Sequence, residues 1–370
     1  MARSKMGQLL QSADLIIWNE VPMQHCYCFE IVHHLLCDLR SSDKLFGGVP
    51  FVLGGDFAQT LPVIPRGSRA DIVCACLQHS FIWPKLEILR LRQNMRLQSG
   101  PDNLAFATWL SQLSYQPELI GRIELPSYIR RAQGKDGLCE QVFPAAELTN
   151  PDRPADFFSK RAILCTRNTE TYEFNNMILN RMPGDFEDYH AVNSANMDDA
   201  GRGQEEFARE FLQSVQLPGL PPSHLRLKVG VPVMLLRNLR PSEGLCNGTR
   251  LVITRLTRRL VEARILTGEW KGTVHVLPCI QLQSTETELP FILTRQQFPI
   301  RVCFAMTINK SQGQSLDTVG VDLRMPVFTH GQFYVALSRV TNVANLTVLL
   351  PANGDGKTDN VVYPEVLEGL

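Results

Sequence analysis

The sequence lacks three features that would place a protein quickly in a class. It has no apolar run of the about 18 residues that a membrane helix needs, and its start, MARSKMGQLLQSAD, lacks the apolar block of a secretory signal. None of its 10 cysteines forms a C-x-x-C pair that would indicate a zinc site. Its 37 basic and 37 acidic residues balance, so net charge indicates no partner. We therefore expect a soluble, intracellular protein with no membrane partner.

The order of apolar patterns predicts two α/β units with an insert. Strand patterns at 15–18 (LIIW) and 50–56 (PFVLGGD) alternate with helix patterns, and 87–97 (EILRLRQNMRL) predicts a further strand and turn. A second unit opens at 161–168 (RAILCTRN) and resumes at 301–308 (RVCFAMTI). This alternation is typical of parallel sheets. Between these segments, short β patterns separated by Asn-Gly and Thr-Gly turns predict a small antiparallel barrel.

Charge is distributed unevenly along the chain. Residues 226–271 hold ten basic and three acidic residues, a net charge of +7. Such a segment can follow a phosphate backbone, although a solvated β-surface explains the charge equally well.

Polar residues follow two of the predicted strands. LIIWNEVPM places Asn19 and Glu20 after the first strand, where phosphate-hydrolysing folds usually have Asp-Glu, the Asp holding hydrated magnesium and the Glu polarising water. GGDFAQ places Asp56 and Gln59 after the second strand. The carboxyl ends of parallel strands are where α/β proteins bind ligands, but a Gly-Gly-Asp turn alone usually just ends a strand.

Three further groups extend this pattern. Arg96 closes the predicted strand at 87–97, and an arginine there can pair with phosphoryl oxygens or with a surface carboxylate. The turn 309–314 (NKSQGQ) is rich in hydrogen-bond donors suited to phosphates. HGQFYVALSR predicts a helix with Arg339 in its last turn, where it could simply complement the helix dipole. Four such motifs in this order favour a nucleotide and nucleic-acid function.

Together these motifs resemble the petite-integration-frequency family of DNA helicases, in particular the helicase part of Helitron-type rolling-circle transposons. LIIWNEVPM is similar to the second motif of that family, GGDFAQTLPVIPRGSRADIV to the third, LRLRQNMRL to the fourth, FAMTINKSQGQSL to the fifth and HGQFYVALSR to the sixth. The resemblance covers nearly the whole chain.

The resemblance implies an α/β fold with two RecA-like parallel-sheet domains, the first incomplete, and a small SH3-like β-barrel inserted in the second. The implied boundaries are 1–113 for the first domain, 114–158 for a connector, 159–225 with 299–350 for the second domain, 226–298 for the barrel and 351–370 for a C-terminal tail. The implied activity is ATP-dependent movement 5′ to 3′ along single-stranded DNA, with Mg²⁺ and ATP as cofactors and a nuclear location in a eukaryote.

The resemblance also implies roles for particular residues. Glu20 is the implied catalytic carboxylate, Gln59 the γ-phosphate sensor, and Arg96 and Arg339 the implied arginine fingers. The other implied nucleotide-site residues are Asn19, on the magnesium side, with Asp56, Gln312 and Gly313. The implied DNA-binding residues are Thr307, Asn309, Lys310 and Ser311, and the basic stretch 226–271 adds Arg255, Arg258 and Arg259 as predicted DNA-binding residues.

Two departures from the family pattern stand out. No G-x-x-x-x-G-K-[ST] loop, which cradles phosphates in such enzymes, precedes Asn19. Gly356-Lys357-Thr358 supplies its last three letters, but Pro351 stands where its first glycine belongs, which favours an ordinary turn. An amide at position 19 also holds hydrated magnesium poorly.

Three hypotheses follow from these departures. The chain is a helicase whose amino-terminal part is encoded upstream, a non-catalytic single-stranded DNA-binding remnant of a truncated helicase, or a non-functional transposon-derived fragment.

Overall fold

A computed structural model describes residues 4–91, 93–196, 209–217, 219–284, 291–352 and 355–369. The helices of these residues are α1 (Lys5–Ser12), α2 (Cys26–Arg40), α3 (Arg69–Cys74), α4 (Pro101–Gln112), α5 (Gly134–Val142), α6 (Ala145–Thr149), α7 (Asn168–Arg181), α8 (Arg209–Ser214) and α9 (Gln332–Leu337). None of them is both long and apolar enough to cross a membrane.

The described strands are short. They are β1 (Ile16–Trp18), β2 (Phe51–Leu53), β3 (Gly121–Glu124), β4 (Arg130–Arg131), β5 (Arg161–Cys165), β6 (Glu187–His190), β7 (Val192–Asn196), β8 (His224–Leu227), β9 (Pro232–Leu235), β10 (Arg250–Thr257), β11 (Leu260–Ile265), β12 (Val274–Leu277), β13 (Ile280–Gln283), β14 (Ile292–Gln297), β15 (Ile300–Val302), β16 (Ala305–Thr307), β17 (Thr318–Asp322), β18 (Leu346–Leu349) and β19 (Lys357–Asn360).

The chain divides into two compact units. Unit 1 comprises 1–131, 311–315 and 323–370, and unit 2 comprises 132–310 and 316–322. These units divide the chain differently from the implied domains, whose boundaries stay a prediction.

Unit 1 is built on a parallel pair of strands. Strand β1 pairs with β2 in the register Ile17↔Val52. The neighbouring residues Ile16 and Trp18 pack against a buried cluster that includes Phe29 of α2. On the other face, Ile17 and Val52 are 68% and 50% exposed. The first RecA-like sheet thus has two paired strands among the described residues.

The C-terminal residues also belong to the core of unit 1. Strand β19 pairs antiparallel with β3, and β18 pairs parallel with β4. The buried Asn360 side chain donates hydrogen bonds to the carbonyls of Leu113 and Leu119 at 2.7 and 2.6 Å. Val362 and Val366 pack against Leu61 in a buried cluster. The segment predicted as a tail is therefore an ordered part of the unit.

Unit 2 contains a parallel sheet in the order β16-β5-β17. Residues Ala162–Cys165 of β5 are completely buried, which is typical of a parallel strand covered on both faces. Helix α5 approaches this sheet closely, because a Cβ atom on Gly320 of β17 would lie 2.8 Å from Val142. Because α5 lies within the predicted connector 114–158, that segment contributes regular structure.

The remainder of unit 2 is antiparallel. One sheet has the order β12-β11-β10-β9-β15, a second has the order β13-β14-β7, and β6 pairs with β8. This arrangement confirms the predicted β-rich insert, although the strands run beyond 226–298 to include β7 and β15. Residues 285–290 of the predicted barrel lie outside the described residues.

One predicted strand is absent. The described residues of 87–97 form no strand, and Leu89, Leu91 and Met95 are 84%, 101% and 81% exposed. A strand needs a hydrogen-bonded neighbour, and none of the described strands pairs with this segment.

Candidate functional site

Glu20 lies two residues beyond strand β1 and has an unusual backbone. Its φ of 57° and ψ of 42° place it in the left-handed region, which costs free energy in a residue with a side chain and is common at functional sites. A Cβ atom built on Gly313 would lie 3.9 Å from its Oε1 atom. The carboxylate of Glu20 therefore lies beside the turn that contains Gly313, while Asn19 is exposed.

Two glycines bring the second strand-end turn against this site. A Cβ atom on Gly54 would lie 3.1 Å from Asn19 Oδ1, and one on Gly55 would lie 2.3 Å from Cδ of Pro22. The Gly54 amide also donates to the Trp18 carbonyl at 2.8 Å. The Gly-Gly pair is thus needed for the close approach of the two turns.

Substituting Gly55 with alanine tests this packing. We expect the melting temperature of the chain to fall, because the added methyl group must push the turn away from Pro22 at a cost of about 1–3 kcal/mol. The matched control is Gly137→Ala in α5, where a Cβ atom meets nothing within 4 Å and alanine should stabilise the helix by up to about 1 kcal/mol. Thermal unfolding followed by circular dichroism compares the two, and equal melting temperatures would contradict the packing argument.

The turn after β2 orients Gln59. Asp56 Oδ1 accepts a hydrogen bond from the Ala58 amide at 3.0 Å, and Asp56 Oδ2 accepts one from Gln59 Nε2 at 3.4 Å. Gln59 Oε1 is buried and has no hydrogen-bond partner among the described residues. The side chain is therefore fixed by its nitrogen while its oxygen can still accept a hydrogen bond from a ligand.

Tyr334 of α9 links this turn to the helix. Its hydroxyl is hydrogen-bonded to the Asp56 carboxylate, and burial together with the Asp56 charge raises the pKa of Tyr334. The phenol is therefore protonated at neutral pH and donates to Asp56.

Arg339 and Arg96 both donate to Ser338, and their charges act on each other. Arg339 Nε donates to the Val335 carbonyl at 3.0 Å and its Nη2 atom to Ser338 Oγ at 2.8 Å. Arg96 donates to the Ser338 carbonyl at 2.9 Å and to Ser315 Oγ at 3.1 Å. Burial, followed by the charge of Arg96, lowers the pKa of Arg339 to about 10. Arg339 stays charged at neutral pH, and an anion near both guanidinium groups would relieve their repulsion.

Arg339 lies just beyond α9 rather than in its last turn. The charge of Arg96 lowers the pKa of Arg339, whereas the carboxylates of Glu20 and Asp56 raise it and offset part of the fall. Three predicted site residues from other motifs therefore act electrostatically on Arg339 in unit 1.

The terminal phosphate of a nucleotide fits these residues. The Oε1 atom of Gln312, like that of Gln59, is buried without a hydrogen-bond partner in the part of the chain that the structure describes. Two such acceptors, a carboxylate and two guanidinium groups can together hold a water molecule and a phosphoryl group. Ser311 is completely buried beside Gln312.

These residues suit magnesium and the inner phosphates of a nucleotide less well than they suit the terminal phosphate. Asn19 offers a neutral carbonyl oxygen, and hydrated magnesium prefers carboxylates. No group of three or more His, Cys, Asp or Glu side chains is arranged to hold a metal among the described residues. Gly356-Lys357-Thr358 leads into strand β19 with Thr358 buried, so these residues form a turn and a strand.

In unit 2, a buried asparagine positions the segment that carries the predicted DNA-binding residues. Asn175 Oδ1 accepts hydrogen bonds from the amides of Phe304 and Ala305 at 2.8 and 2.9 Å, and its Nδ2 atom donates to the Ala305 carbonyl at 3.0 Å. These bonds attach α7 to the start of β16. The strand carries Thr307 at its end.

Lys310 lies in a basic cluster of unit 2 that sequence reasoning did not identify as a unit. Its Nζ atom donates to Asn247 Oδ1 at 3.2 Å, and Arg301 donates to Asn168 Oδ1 at 2.8 Å. Partial burial, followed by the charges of Arg301 and Arg237, lowers the pKa of Lys310. We call Arg237, Arg301 and Lys310 the strand-end cluster; Asn309 lies beside it in sequence.

The predicted basic residues of the insert form a second group. Arg255 lies in β10, and Arg258 and Arg259 form the turn between β10 and β11; all three are exposed. We call them the hairpin cluster. Because β10 begins at Arg250, eight residues before Arg258, a rise of about 3.3 Å per residue places the turn about 25 Å from the start of the strand.

The basic count of 226–271 overstated the charge on the surface. Arg250 is 2% exposed and Lys228 is 4% exposed. Lys228 Nζ donates to the Met182 carbonyl at 2.6 Å, and the guanidinium of Arg250 donates to three backbone carbonyls. These two cations therefore stabilise the interior of unit 2 instead of facing DNA.

The structure also identifies site residues that the sequence did not. Tyr334 and His330 both lie in the sixth motif, and Arg301 in the approach to the fifth. A buried tyrosine bonded to a motif carboxylate gives no local pattern, because its partner Asp56 is far away in the chain.

The fold and the site define a RecA-like α/β protein with an inserted β domain and residues suited to a nucleotide and a phosphate backbone. A family model described as PIF1-like helicase matches residues 1–115, and one described as DNA helicase Pif1, 2B domain matches residues 210–256. Both models describe PIF1-type helicases, so part of unit 1 and part of unit 2 are similar to this family.

Relatives and solved structures show the same similarity. The chain is 28% identical over 338 residues to the ATP-dependent DNA helicase PIF1 of Homo sapiens, with 90% of this chain and 46% of that protein covered. It is 25% identical over 387 residues to the ATP-dependent DNA helicase Pif1 of a Psychrobacter strain, with 92% and 54% covered. The chain thus spans about half the length of the curated relatives it matches.

Two solved structures share the fold. The Pif1 helicase of Candida albicans matches with a TM-score of 0.60 at 23% identity, covering 98% of this chain and 78% of that one. A Bacteroides Pif1 helicase in complex with ADP-AlF3 and single-stranded DNA matches with a TM-score of 0.62 at 20% identity, covering 93% and 72%. The predicted fold class is confirmed.

Proposed function

We propose that this chain binds single-stranded DNA and carries the terminal-phosphate side of the ATP site of a 5′-to-3′ DNA helicase. The observation that supports this most is that the Arg96 guanidinium and the Glu20 carboxylate both act electrostatically on the buried Arg339 guanidinium, while Arg96 donates to the carbonyl of Ser338 next to Arg339. A structural ion pair would need one cation for this carboxylate. The charge of Asp56 balances the second cation, and the two guanidinium groups are the hydrogen-bond donors that suit phosphoryl oxygens.

The roles of the residues follow from their chemistry. ATP, when bound, supplies the phosphoryl bond that is broken. Glu20 accepts a proton from water, and Gln59 Oε1 accepts a hydrogen bond that orients that water. Arg96 and Arg339 stabilise negative charge on the phosphoryl oxygens. Magnesium would have only Asn19 and Glu20 to hold it here, so no step is assigned to it.

A second candidate function is DNA binding without hydrolysis. The observation that favours it is that these 370 residues contain no G-x-x-x-x-G-K-[ST] loop, while position 19 is an amide. The strand-end cluster and the hairpin cluster need no nucleotide to attract a phosphate backbone. An intracellular, and in a eukaryote nuclear, place of action accompanies either function.

One experiment tests whether the chain binds DNA and whether it also hydrolyses ATP. We expect the purified chain to bind a fluorescently labelled single strand in an anisotropy titration, with an affinity that falls steeply across a salt series. We also expect no ATP hydrolysis above background, with or without DNA. A DNA-stimulated rate that Glu20→Gln abolishes would show that the chain is a complete enzyme. Absence of binding even at low salt would support a non-functional fragment.

A further inference from the structure

His330 is a completely buried histidine two residues before α9. Its Nδ1 atom lies 2.8 Å from the Tyr363 amide nitrogen, and its Nε2 atom lies 2.7 Å from the Phe57 carbonyl oxygen. A backbone amide can only donate and a carbonyl can only accept. The ring is therefore neutral, with its hydrogen on Nε2.

Through these two bonds His330 joins segments that are distant in sequence. Phe57 lies in the turn that orients Gln59, and Tyr363 lies in the C-terminal segment that follows β19. Next to it, the Gly331 amide donates to the Val361 carbonyl at 3.1 Å. Three chain segments therefore meet at one imidazole.

The contact leaves no space for adjustment. Gly331 has a φ of 73°, and a Cβ atom on it would lie 2.5 Å from the carbonyl oxygens of Ala58 and Gln59. The backbone before α9 is packed directly on the turn after β2. A shift of one of these segments must move the other.

Helix α9 is attached to the same turn at a second point, because Tyr334 is hydrogen-bonded to Asp56. Arg339 follows α9 and donates back to the Val335 carbonyl of that helix. The turn after β2 therefore contains Gln59 and also contacts α9, and Arg339 follows that helix directly.

We propose that His330 is a positioning residue that fixes Gln59 and Arg339 relative to each other, and that the segment Val361–Tyr363 holds His330 in place. Its importance for catalysis rests on the proposed function. The positioning itself is a property of unit 1 and is testable without nucleotide or DNA.

The two ring nitrogens can be replaced one at a time. In His330→Gln the amide nitrogen reaches the position of Nε2 and can still donate to Phe57. In His330→Asn the amide oxygen takes the position of Nδ1 and can still accept from Tyr363, but the bond to Phe57 is lost. His33→Asn is the matched control, because His33 is also buried in unit 1 and accepts from the Phe46 amide through Nδ1 at 3.0 Å.

Nuclear magnetic resonance of the whole chain, selectively labelled with nitrogen-15 in arginine, histidine and glutamine, gives the readout. We expect the wild-type His330 ring to show the Nε2–H tautomer. We expect His330→Asn to shift both the Arg339 Nε–H signal and the Gln59 side-chain amide signals by more than a line width. We expect His330→Gln, which loses the bond to Tyr363 but keeps the bond to Phe57, to shift them less, and His33→Asn to leave both in place. A simple loss of stability would move neither signal in the folded protein.

Unmoved Arg339 and Gln59 signals in folded His330→Asn would overturn the proposal, as would an Nδ1–H tautomer in the wild type. Neither result would affect DNA binding by the chain, which the anisotropy titration measures separately. Failure to bind DNA would in turn leave the coupling of Gln59 and Arg339 unchanged, so the two proposals fail independently.

The pH dependence provides a second readout. Burial lowers the pKa of His330, and the charge of Arg69 lowers it further. The hydrogen bond to the Phe57 carbonyl and the charges of Asp56 and Glu365 raise the pKa and so offset part of that fall. Since the folded protein disfavours the charged ring, its contribution to stability is complete above the ordinary histidine pKa of about 6.5 and is lost as the pH falls below that value. His330→Gln should remove this part of the acid destabilisation, and an unchanged pH profile would count against the neutral ring.

Discussion

Reversing the three charges of the hairpin cluster, Arg255→Glu with Arg258→Glu and Arg259→Glu, is expected to weaken single-stranded DNA binding about 10- to 100-fold at low salt. Each lost phosphate contact removes counterion release, so the slope of log affinity against log salt should fall by about 2 for three contacts. The loss should be the same for all sequences, since phosphate contacts carry no sequence information. Fluorescence anisotropy across a salt series measures both quantities.

The matched control changes the same number of charges elsewhere. Lys5, Lys44 and Lys85 are exposed in unit 1, and reversing all three changes the net charge equally without touching either basic cluster. We expect a much smaller loss with this variant. Should the hairpin variant bind normally while Arg237→Gln with Arg301→Gln and Lys310→Gln weakens binding, the DNA follows the strand-end cluster instead.

The two clusters show how far charge can be interpreted from a sequence. The hairpin cluster was predictable, because a tight turn between two strands almost always exposes its side chains. Arg250 begins the same strand, and neither face of its first half is exposed: Leu251, Val252 and Ile253 are all buried. With no alternation of burial along the strand, the sequence offers no sign that this arginine points inward.

The strand-end turns of unit 1 were predictable for a different reason. Glu20 and Gln59 follow short apolar strands of a parallel sheet, and the sheet itself brings such ends together. The predicted strand at 87–97 had an equally good β pattern. The described residues of that segment form no strand, because strand formation depends on a neighbour that local sequence does not reveal.

His330 marks the limit of this kind of inference. A histidine before a helix has many possible roles, and its partners Phe57 and Tyr363 are 273 and 33 residues away. Contacts of that separation follow from packing. The motif containing His330 was identified from sequence, whereas its connection to Gln59 required the structure.

The second prediction with a large expected effect concerns the stability of unit 2 and the buried Arg250. Its Nη2 atom donates to the carbonyls of Phe158 and Arg161 at 2.7 and 3.0 Å, and its Nη1 atom donates to the Ser159 carbonyl at 3.3 Å. Burial lowers its pKa, and Cys303 is the group that partly offsets this. One guanidinium thereby attaches strand β10 to the chain before and within β5, and so joins the antiparallel sheet to the parallel sheet of unit 2.

Arg250→Leu should therefore destabilise unit 2 strongly. Three carbonyls lose their donor in a site that water cannot reach easily, at a cost of about 3–5 kcal/mol. For a unit of this size that corresponds to a fall in melting temperature on the order of 10 °C.

The control is Arg255→Leu, which replaces an exposed arginine on the same strand and should change the stability by less than about 0.5 kcal/mol. Differential scanning calorimetry resolves the two variants, and Arg250→Lys, which keeps the charge without the fork of donors, should fall between them. If Arg250→Leu melts with the wild type, the three carbonyl bonds do not hold the sheets together.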